Sequence, residues 1–192
     1  SNKLNAKIIY TSTDLVYAGY RGSYLKEDSK LVPISFYAET KLMGEVKIKS
    51  LAQNFLILRI ALLFGFGLNH SKNHFMETYH KLKNNESVTL FSDQFRSPLE
   101  LSEAAGIIKE LIQMDARGLL NFGGCERISR YQMGLLLCEV CGFNPELVRP
   151  IKMEELNVKY PVADVSMNVD KLIELGIKPN SVKDSLSRLF KG

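Results

Sequence analysis

Residues 55–63 read Phe-Leu-Ile-Leu-Arg-Ile-Ala-Leu-Leu, a near-continuous apolar run. The run is too short for a core helix and fits a strand that is buried on both faces, as strands of parallel sheets are. Upstream, residues 36–54 contain no proline and place Leu42, Val46 and Leu51 on or near one helix face, and residues 7–12 form a short β-branched and aromatic stretch. Strand, helix and strand in this order predict an α/β fold built on part of a Rossmann-like, doubly wound parallel sheet.

The remainder of the chain continues to alternate helical and strand patterns, but its role is expected to change near residue 67. We assign residues 1–67 to the C-terminal part of a Rossmann-like dinucleotide-binding domain. Residues 68–192 are assigned to a smaller C-terminal α/β substrate-binding region, of which residues 100–125 are expected to pack back on the Rossmann sheet. The helices and strands predicted in this region cover 73–84, 87–91, 102–114, 119–122, 129–142, 168–176 and the segment that begins at 181. Ser129 and Gln132 have the S-x-x-Q spacing of a capping box at the start of the helix that ends at Gly142.

Composition excludes several classes of protein. The chain has 192 residues, 25 Lys and Arg against 21 Asp and Glu, and 45% hydrophobic residues, which is enough for a core and excludes a disordered chain. No Lys/Arg run exceeds two residues and no apolar stretch approaches the roughly 18 residues needed to span a bilayer, so neither nucleic acid nor membrane is an expected partner. We expect a cytoplasmic protein.

The cysteines and histidines do not indicate a metal site. Cys138 and Cys141 lie one turn apart in an apolar helical run, where they are expected to act as small buried hydrophobic residues. Cys125 alone does not complete the four ligands that zinc requires.

Tyr-x-x-x-Lys occurs twice, and chance can produce such a spacing. Tyr79 and Lys83 lie in a polar helical segment, so Tyr79 is predicted to be solvated. Tyr37 and Lys41 instead open the helix between the two buried strands, and the first of these strands ends in Thr11-Ser-Thr-Asp14. Open α/β sheets bind ligands at that carboxyl edge.

The spacing of Tyr37 and Lys41 suits carbonyl–alcohol chemistry. Residues i and i+4 share a helix face, and a nearby ammonium favours the ionised form of a phenol. Such a tyrosine can give a proton to a carbonyl oxygen or take one from an alcohol, while a threonine hydroxyl at the strand end holds the same oxygen. The hydride for this reaction would come from a nicotinamide.

Three segments together resemble the extended short-chain dehydrogenase/reductase family, and within it the dTDP-4-dehydrorhamnose reductases. They are Ser12-Thr-Asp-Leu-Val-Tyr-Ala-Gly19, Tyr37-Ala-Glu-Thr-Lys-Leu-Met-Gly-Glu45 and Leu58-Arg-Ile-Ala-Leu-Leu-Phe-Gly65. Arg96-Ser-Pro-Leu99 and Ala163-Asp-Val-Ser-Met-Asn-Val-Asp-Lys-Leu172 are similar to later segments of the same family. The resemblance implies NAD(P)H-dependent reduction of a nucleotide-linked 4-keto sugar.

The resemblance also implies site residues, cofactor and partners. The implied catalytic residues are Thr13, Tyr37 and Lys41. The implied cofactor-binding residues are Thr11, Ser12, Tyr37 and Lys41, and the implied substrate-binding residues are Thr13, Asp14, Val16 and Leu62. The cofactor would be NADPH or NADH and the partner a nucleotide-sugar substrate, and a homodimer is left open.

Two features depart from the family pattern. No glycine-rich loop that could cradle a pyrophosphate at a helix N-terminus occurs in the sequence. We therefore expect the chain to be a C-terminal portion of a longer protein, and this portion to be inactive without the missing half. Leu62 stands where the rhamnose-forming reductases carry Trp, so an aromatic contact surface is absent there.

Two alternatives to a reductase remain open. One is a nucleotide-sugar epimerase; a dehydratase is disfavoured because Leu15, and not a carboxylate, follows Asp14. The other is a non-catalytic regulatory subunit of the methionine adenosyltransferase type, which resembles the same subgroup.

Overall fold

A computed structural model describes residues 6–19, 22–67, 73–156 and 158–191 of the chain. Its strands are β1 (Ile8–Thr13), β2 (Phe55–Ile60), β3 (Leu63–Phe64), β4 (Val88–Phe91), β5 (Phe95–Arg96), β6 (Leu99–Glu100), β7 (Gly118–Phe122), β8 (Ile128–Ser129) and β9 (Val148–Ile151). Its α-helices are α1 (Phe36–Leu51), α2 (His74–Lys83), α3 (Leu101–Gln113), α4 (Arg130–Cys141), α5 (Asp170–Glu174) and α6 (Val182–Lys191).

The largest sheet described is parallel and has the strand order β1-β2-β7. In its register Thr13 lies beside Ile60, and Ile60 lies beside Phe122. Leu56, Ile57 and Leu58 of β2 are at most 1% exposed, because β2 is the central strand and is covered on both faces. The predicted α/β class with parallel strands is confirmed. β7 joins this sheet from the later part of the chain, whereas the predicted division at residue 67 stays a prediction.

Helix α1 lies close to β1 for a reason that differs from the predicted one. An apolar stripe over Leu42, Val46 and Leu51 was the expected core face, but Val46 is 59% exposed and Leu51 is 68% exposed. The buried residues of α1 are Ala38 and Glu45. Of the predicted stripe, Leu42 packs against the core cluster of Val16 and Tyr17, and Ala38 and the buried Glu45 complete the contact of α1 with the rest of the protein.

The helix ends follow the capping signals with one correction. The predicted capping box of Ser129 and Gln132 starts α4, and Gly142 ends it with a left-handed φ of 71°. Ser181 accepts a hydrogen bond from the backbone N–H of Asp184 at the start of α6. Helix α3, however, begins at Leu101 with Glu100 as its N-cap, and not at Ser102. A carboxylate also satisfies the free N–H groups of a first turn, so Glu100 serves the same purpose.

The prediction for Tyr79 is wrong. Its ring stacks on Phe190 at 4.9 Å between centroids and meets Phe66 edge-on at 5.4 Å. Tyr79 and Phe190 are partly buried against the core formed by α2, α4, β4, β9 and α6. Phe66 and Phe190 both lie outside helix α2, so the polar sequence of α2 alone did not indicate that Tyr79 packs against other rings. Of the cysteines, Cys138 is buried in this core as expected, and Cys141 is partly buried.

Two further observations concern membrane spanning and metal binding. In the described ranges, no helix is long and apolar enough to cross a membrane. Among the same residues, no group of three or more His, Cys, Asp and Glu side chains is arranged to hold a metal ion.

Candidate active site

The carboxyl end of strand β1 lies next to the first turns of helix α1. Thr13 is the last residue of β1, and Asp14 starts a single 3-10 turn that ends at Tyr17. Ser35 caps α1 by accepting a hydrogen bond from the N–H of Ala38, which fixes the start of the helix that carries Tyr37 and Lys41. The carboxyl ends of the parallel strands and the first turns of α1 therefore border the same space.

That space is a cavity of about 440 Å³, which we call the strand-end cavity. Its lining residues are Thr11, Ser12, Thr13, Asp14, Leu15, Tyr37, Lys41, Ile60, Ala61, Leu62, Leu63, Arg96 and Arg130. The volume falls in the range of about 300–1,000 Å³ that is usual for small-molecule sites. Every residue that the sequence suggested for the site lines this cavity, with the exception of Val16.

Val16 is a correction to the implied substrate contacts. Its side chain is fully buried and packs in an apolar cluster that includes Tyr17 and Met167. The 3-10 turn after Asp14 directs Val16 into the protein, where its side chain stabilises the loop. We therefore do not retain Val16 as a residue that touches substrate.

Lys41 is held in place next to Tyr37. Its Nζ donates a hydrogen bond to the backbone oxygen of Thr11 at 2.8 Å and lies 5.8 Å from the centre of the Tyr37 ring. An ammonium has three N–H donors, and within the part of the chain that the structure describes one of them is used, so two remain for a ligand. Tyr37 is 52% exposed, which leaves its phenol open to the cavity.

Thr13 and Asp14 form a polar pair at the floor of the cavity. The Thr13 hydroxyl donates to Asp14 Oδ1 at 3.2 Å and accepts from the N–H of Leu15 at 3.3 Å. Burial raises the pKa of Asp14 to about 6, although Arg96, the Thr13 hydrogen bond and Arg130 each act to lower it. The carboxyl group of Asp14 thus changes charge close to neutral pH.

The raised pKa of Asp14 predicts that the free energy of unfolding depends on pH. Because the folded protein holds this proton more tightly than the unfolded chain, the stability linked to Asp14 is complete below pH 3.8 and is lost as the pH rises to about 6. We expect Asp14→Asn, which cannot ionise, to raise the free energy of unfolding at pH 7 by about 3 kcal/mol at most. The gain should vanish near pH 4. Urea unfolding at both pH values measures this difference, and an equal gain at both would contradict the assignment.

Two arginines in the cavity were not among the predicted site residues. Arg96 donates to the backbone oxygen of Val162 at 3.2 Å, and Arg130 donates from Nε to Gln94 Oε1 at 3.2 Å. Burial lowers the pKa of Arg130 to about 10, with a further contribution from Arg96, and Asp14 opposes the shift. With Lys41, the lining holds three cationic side chains against one carboxyl group, so the cavity favours an anionic ligand.

A signal for Arg130 was present in the sequence. It directly follows the N-cap Ser129, and a cation in the first turn of a helix opposes the helix dipole. A residue whose charge is unfavourable for its own helix often has a functional role instead.

A buried polar network supports the site from below. Ser12 donates to Glu45 Oε1 at 2.6 Å, and Arg59 donates to both oxygens of Glu45 at 3.0 and 2.7 Å. Arg59 also donates to the Tyr17 hydroxyl at 2.5 Å. The side chains of Glu45 and Arg59 are each 1% exposed, and they connect α1, β1 and β2 directly beneath the cavity.

This fold and cavity define a Rossmann-like α/β protein with a ligand site at the carboxyl edge of its sheet. The whole chain, residues 1–192, matches the family described as RmlD substrate binding domain. The chain belongs to this family, and the resemblance to extended short-chain dehydrogenases/reductases is confirmed.

Two curated relatives and one solved structure show how far the similarity to known proteins extends. The chain is 24% identical over 180 residues to methionine adenosyltransferase 2 subunit beta of Xenopus tropicalis, covering 91% of this chain and 54% of the relative. It is 26% identical over 188 residues to spore coat polysaccharide biosynthesis protein SpsK of Bacillus subtilis, covering 97% and 64%. A crystal structure of dTDP-4-dehydrorhamnose reductase from Bacillus anthracis in complex with NADP superposes with a TM-score of 0.88 at 23% identity, covering 98% and 66%. The chain spans between about half and two thirds of the length of these proteins.

Proposed function

We propose that the full-length protein containing this chain reduces the carbonyl group of a nucleotide-linked 4-keto sugar, with NADPH or NADH as the reductant. The observation that carries the proposal is that Thr13, Tyr37 and Lys41 line a single cavity at the carboxyl edge of the parallel sheet. A hydroxyl, a phenol and an ammonium in one cavity are the groups that carbonyl reduction needs.

In this proposal Tyr37 is the proton donor to the carbonyl oxygen. The Thr13 hydroxyl, which donates to Asp14 in the structure, turns its proton to the same oxygen when substrate binds. Lys41, anchored on the Thr11 backbone oxygen, keeps positive charge beside the phenol. Leu62 and Asp14 then contact the sugar, and Thr11 and Ser12 border the cofactor.

The residues present fit a nicotinamide cofactor. Lys41 has two N–H donors left for ribose hydroxyls, and Tyr37 is open to the space beside them. When bound, NADPH or NADH supplies the hydride to the carbonyl carbon. Two neighbours in fold support this cofactor class: the dTDP-4-dehydrorhamnose reductase was crystallised with NADP, and a dTDP-glucose 4,6-dehydratase from the same organism with NAD.

The charge of the cavity supports a nucleotide-linked substrate. Arg96 and Arg130 add positive charge on the Asp14 side of the cavity, and a nucleoside diphosphate sugar is anionic. A homodimer, a cytoplasmic location and the inactivity of the 192-residue chain alone stay predictions.

A regulatory subunit is the second candidate, because methionine adenosyltransferase 2 subunit beta is among the curated relatives. Such a role requires a surface that binds a catalytic subunit and does not require Tyr37 to transfer a proton. The strand-end cavity is common to both candidates, so its presence does not separate them.

Turnover separates the two candidates. We expect the full-length protein to oxidise NADPH or NADH when a nucleoside diphosphate 4-keto-6-deoxyhexose is added, and not in its absence. The decrease in absorbance of the reduced nicotinamide measures the reaction. No turnover, together with co-purification of a methionine adenosyltransferase catalytic subunit, would favour the regulatory role.

A further inference from the structure

A second pocket adjoins the strand-end cavity. It has a volume of about 130 Å³ and lies between α2, α4 and the strands β3 and β4. Leu62, Leu63 and Arg130 line both this side pocket and the strand-end cavity. The two spaces therefore share a wall, and a ligand held at Thr13 and Tyr37 has the side pocket next to it.

The surface of the side pocket is mainly apolar. Phe64, Phe75, Leu90 and Leu137 provide buried walls. Protein interiors contain few voids larger than a water molecule, and an apolar cavity of roughly 150 Å³ stays dry and binds benzene or xenon. A space of this size beside a ligand site is therefore suited to a small apolar group.

The polar side chains around the pocket do not change this conclusion. Asn73 donates to the backbone oxygen of Gly65 and accepts from the N–H of Met76. The Thr78 hydroxyl donates to the backbone oxygen of His74. The His74 imidazole also lines the pocket, and burial and the nearby Arg130 lower its pKa, which favours its uncharged form. Asn73 and Thr78 thus have partners within the protein, and Arg130 is the charged side chain that the pocket offers to a ligand.

Arg130 stands on the wall between the two spaces. Its Nε is bonded to Gln94, and among the residues that the structure describes its two terminal nitrogens have no hydrogen-bond acceptor. A group that crosses from one space to the other would therefore pass a guanidinium with free donors and then enter an apolar pocket.

We propose that the side pocket binds a short acylamino substituent of the sugar, with the acyl oxygen accepting from Arg130 and the alkyl end buried among the pocket's apolar side chains. This inference rests on the proposed reductase function, since the substituent must belong to the substrate whose carbonyl meets Tyr37. It makes Arg130 and the side pocket determinants of specificity.

The test compares sugars that differ only in this substituent. Nucleoside diphosphate 4-keto-6-deoxyhexoses would carry a hydroxyl, an acetamido or a propionamido group on the ring carbon beside the ketone. We expect kcat/KM of the full-length protein to rise from hydroxyl to acetamido to propionamido, on the order of 10-fold for the added methylene.

Two matched variants locate the effect. Thr78→Met fills the pocket and should abolish the preference, whereas Thr89→Met makes the same change at an exposed position of β4 and should retain it. Xenon binding followed by NMR gives a readout that needs no turnover: xenon should bind the unmodified protein and Thr89→Met, and be excluded by Thr78→Met.

The outcomes are distinguishable. Turnover without a substituent preference, the same preference in both variants, or no xenon site would each overturn the side-pocket proposal and leave the reductase function intact. No turnover with any of the sugars would instead refute the reductase function, and the proposed substituent with it.

Discussion

Replacement of Tyr37 by Phe should lower kcat/KM for carbonyl reduction in the full-length protein by about 10²–10⁴-fold, the usual contribution of a positioned proton donor. The change removes one oxygen atom from a side chain that is 52% exposed and lines the strand-end cavity. Because no buried contact is lost, the free energy of unfolding should change by no more than about 0.5 kcal/mol. Steady-state kinetics and urea unfolding of the same preparation measure both quantities.

Tyr160→Phe is the matched control for this experiment. Tyr160 is 47% exposed and does not line the strand-end cavity, so its phenol should be dispensable. An equal loss of activity in both variants would point to a general disturbance. Unchanged turnover in Tyr37→Phe would show that another group donates the proton.

Glu45→Gln should give the largest loss of stability. It keeps the shape of the side chain but leaves the Arg59 guanidinium, whose side chain is 1% exposed, without its counter-charge. Breaking a buried ion pair by removing one partner costs about 3–5 kcal/mol, because the remaining charge stays desolvated. We expect a loss of this size in the free energy of unfolding, measured by urea titration of the 192-residue chain.

The exposed ion pair of Lys49 with Glu45 provides the control for this experiment. Lys49 approaches Glu45 at 3.9 Å from the solvent side with a side chain that is 42% exposed. Lys49→Gln removes only this exposed pair and should cost at most about 1 kcal/mol. The double change Glu45→Gln with Arg59→Met should recover part of the stability, since it removes the unpaired charge as well. Equal costs for Glu45→Gln and Lys49→Gln would contradict a special role of the buried pair.

Local sequence was sufficient for the sheet and for most helix ends. The apolar run at residues 55–63 predicts β2 because a strand covered on both faces needs apolar residues on both, but β2 ends at Ile60 and Leu63 belongs to β3, which pairs with β6 in a separate sheet. Ser129 and Gln132 mark the start of α4 because capping is an interaction between near neighbours in the chain.

Contacts between distant segments were not predictable in the same way. Leu42, Val46 and Leu51 have the spacing of one face, yet of the three only Leu42 packs against a core cluster, and the buried residues of α1 are Ala38 and Glu45. Tyr79 lies in a polar helix but stacks on Phe190, which is brought there by tertiary packing. Periodicity shows which residues share a face and does not show what that face meets.

The candidate site was predicted where motifs and strand ends coincide. The spacing of Tyr37 and Lys41 and the hydroxyls at the sheet edge indicated the chemistry, and the family resemblance singled out Thr13; the structure places all three around one cavity. Arg130 was missed because it reaches the cavity from α4, more than a hundred residues along the chain from Thr13. Val16 was included through resemblance alone, and its burial excludes direct contact of its side chain with substrate.

Transfer of deuterium tests the central claim most directly. The full-length protein is incubated with a nucleoside diphosphate 4-keto-6-deoxyhexose and with NADPH deuterated at carbon 4 of the nicotinamide, on each face in turn. We predict that one of the two deuterated cofactors places deuterium on carbon 4 of the sugar, detected by NMR and mass spectrometry of the product. A sugar that returns with its ketone intact, or a product without deuterium from either cofactor, would contradict hydride transfer to a carbonyl held between Thr13 and Tyr37.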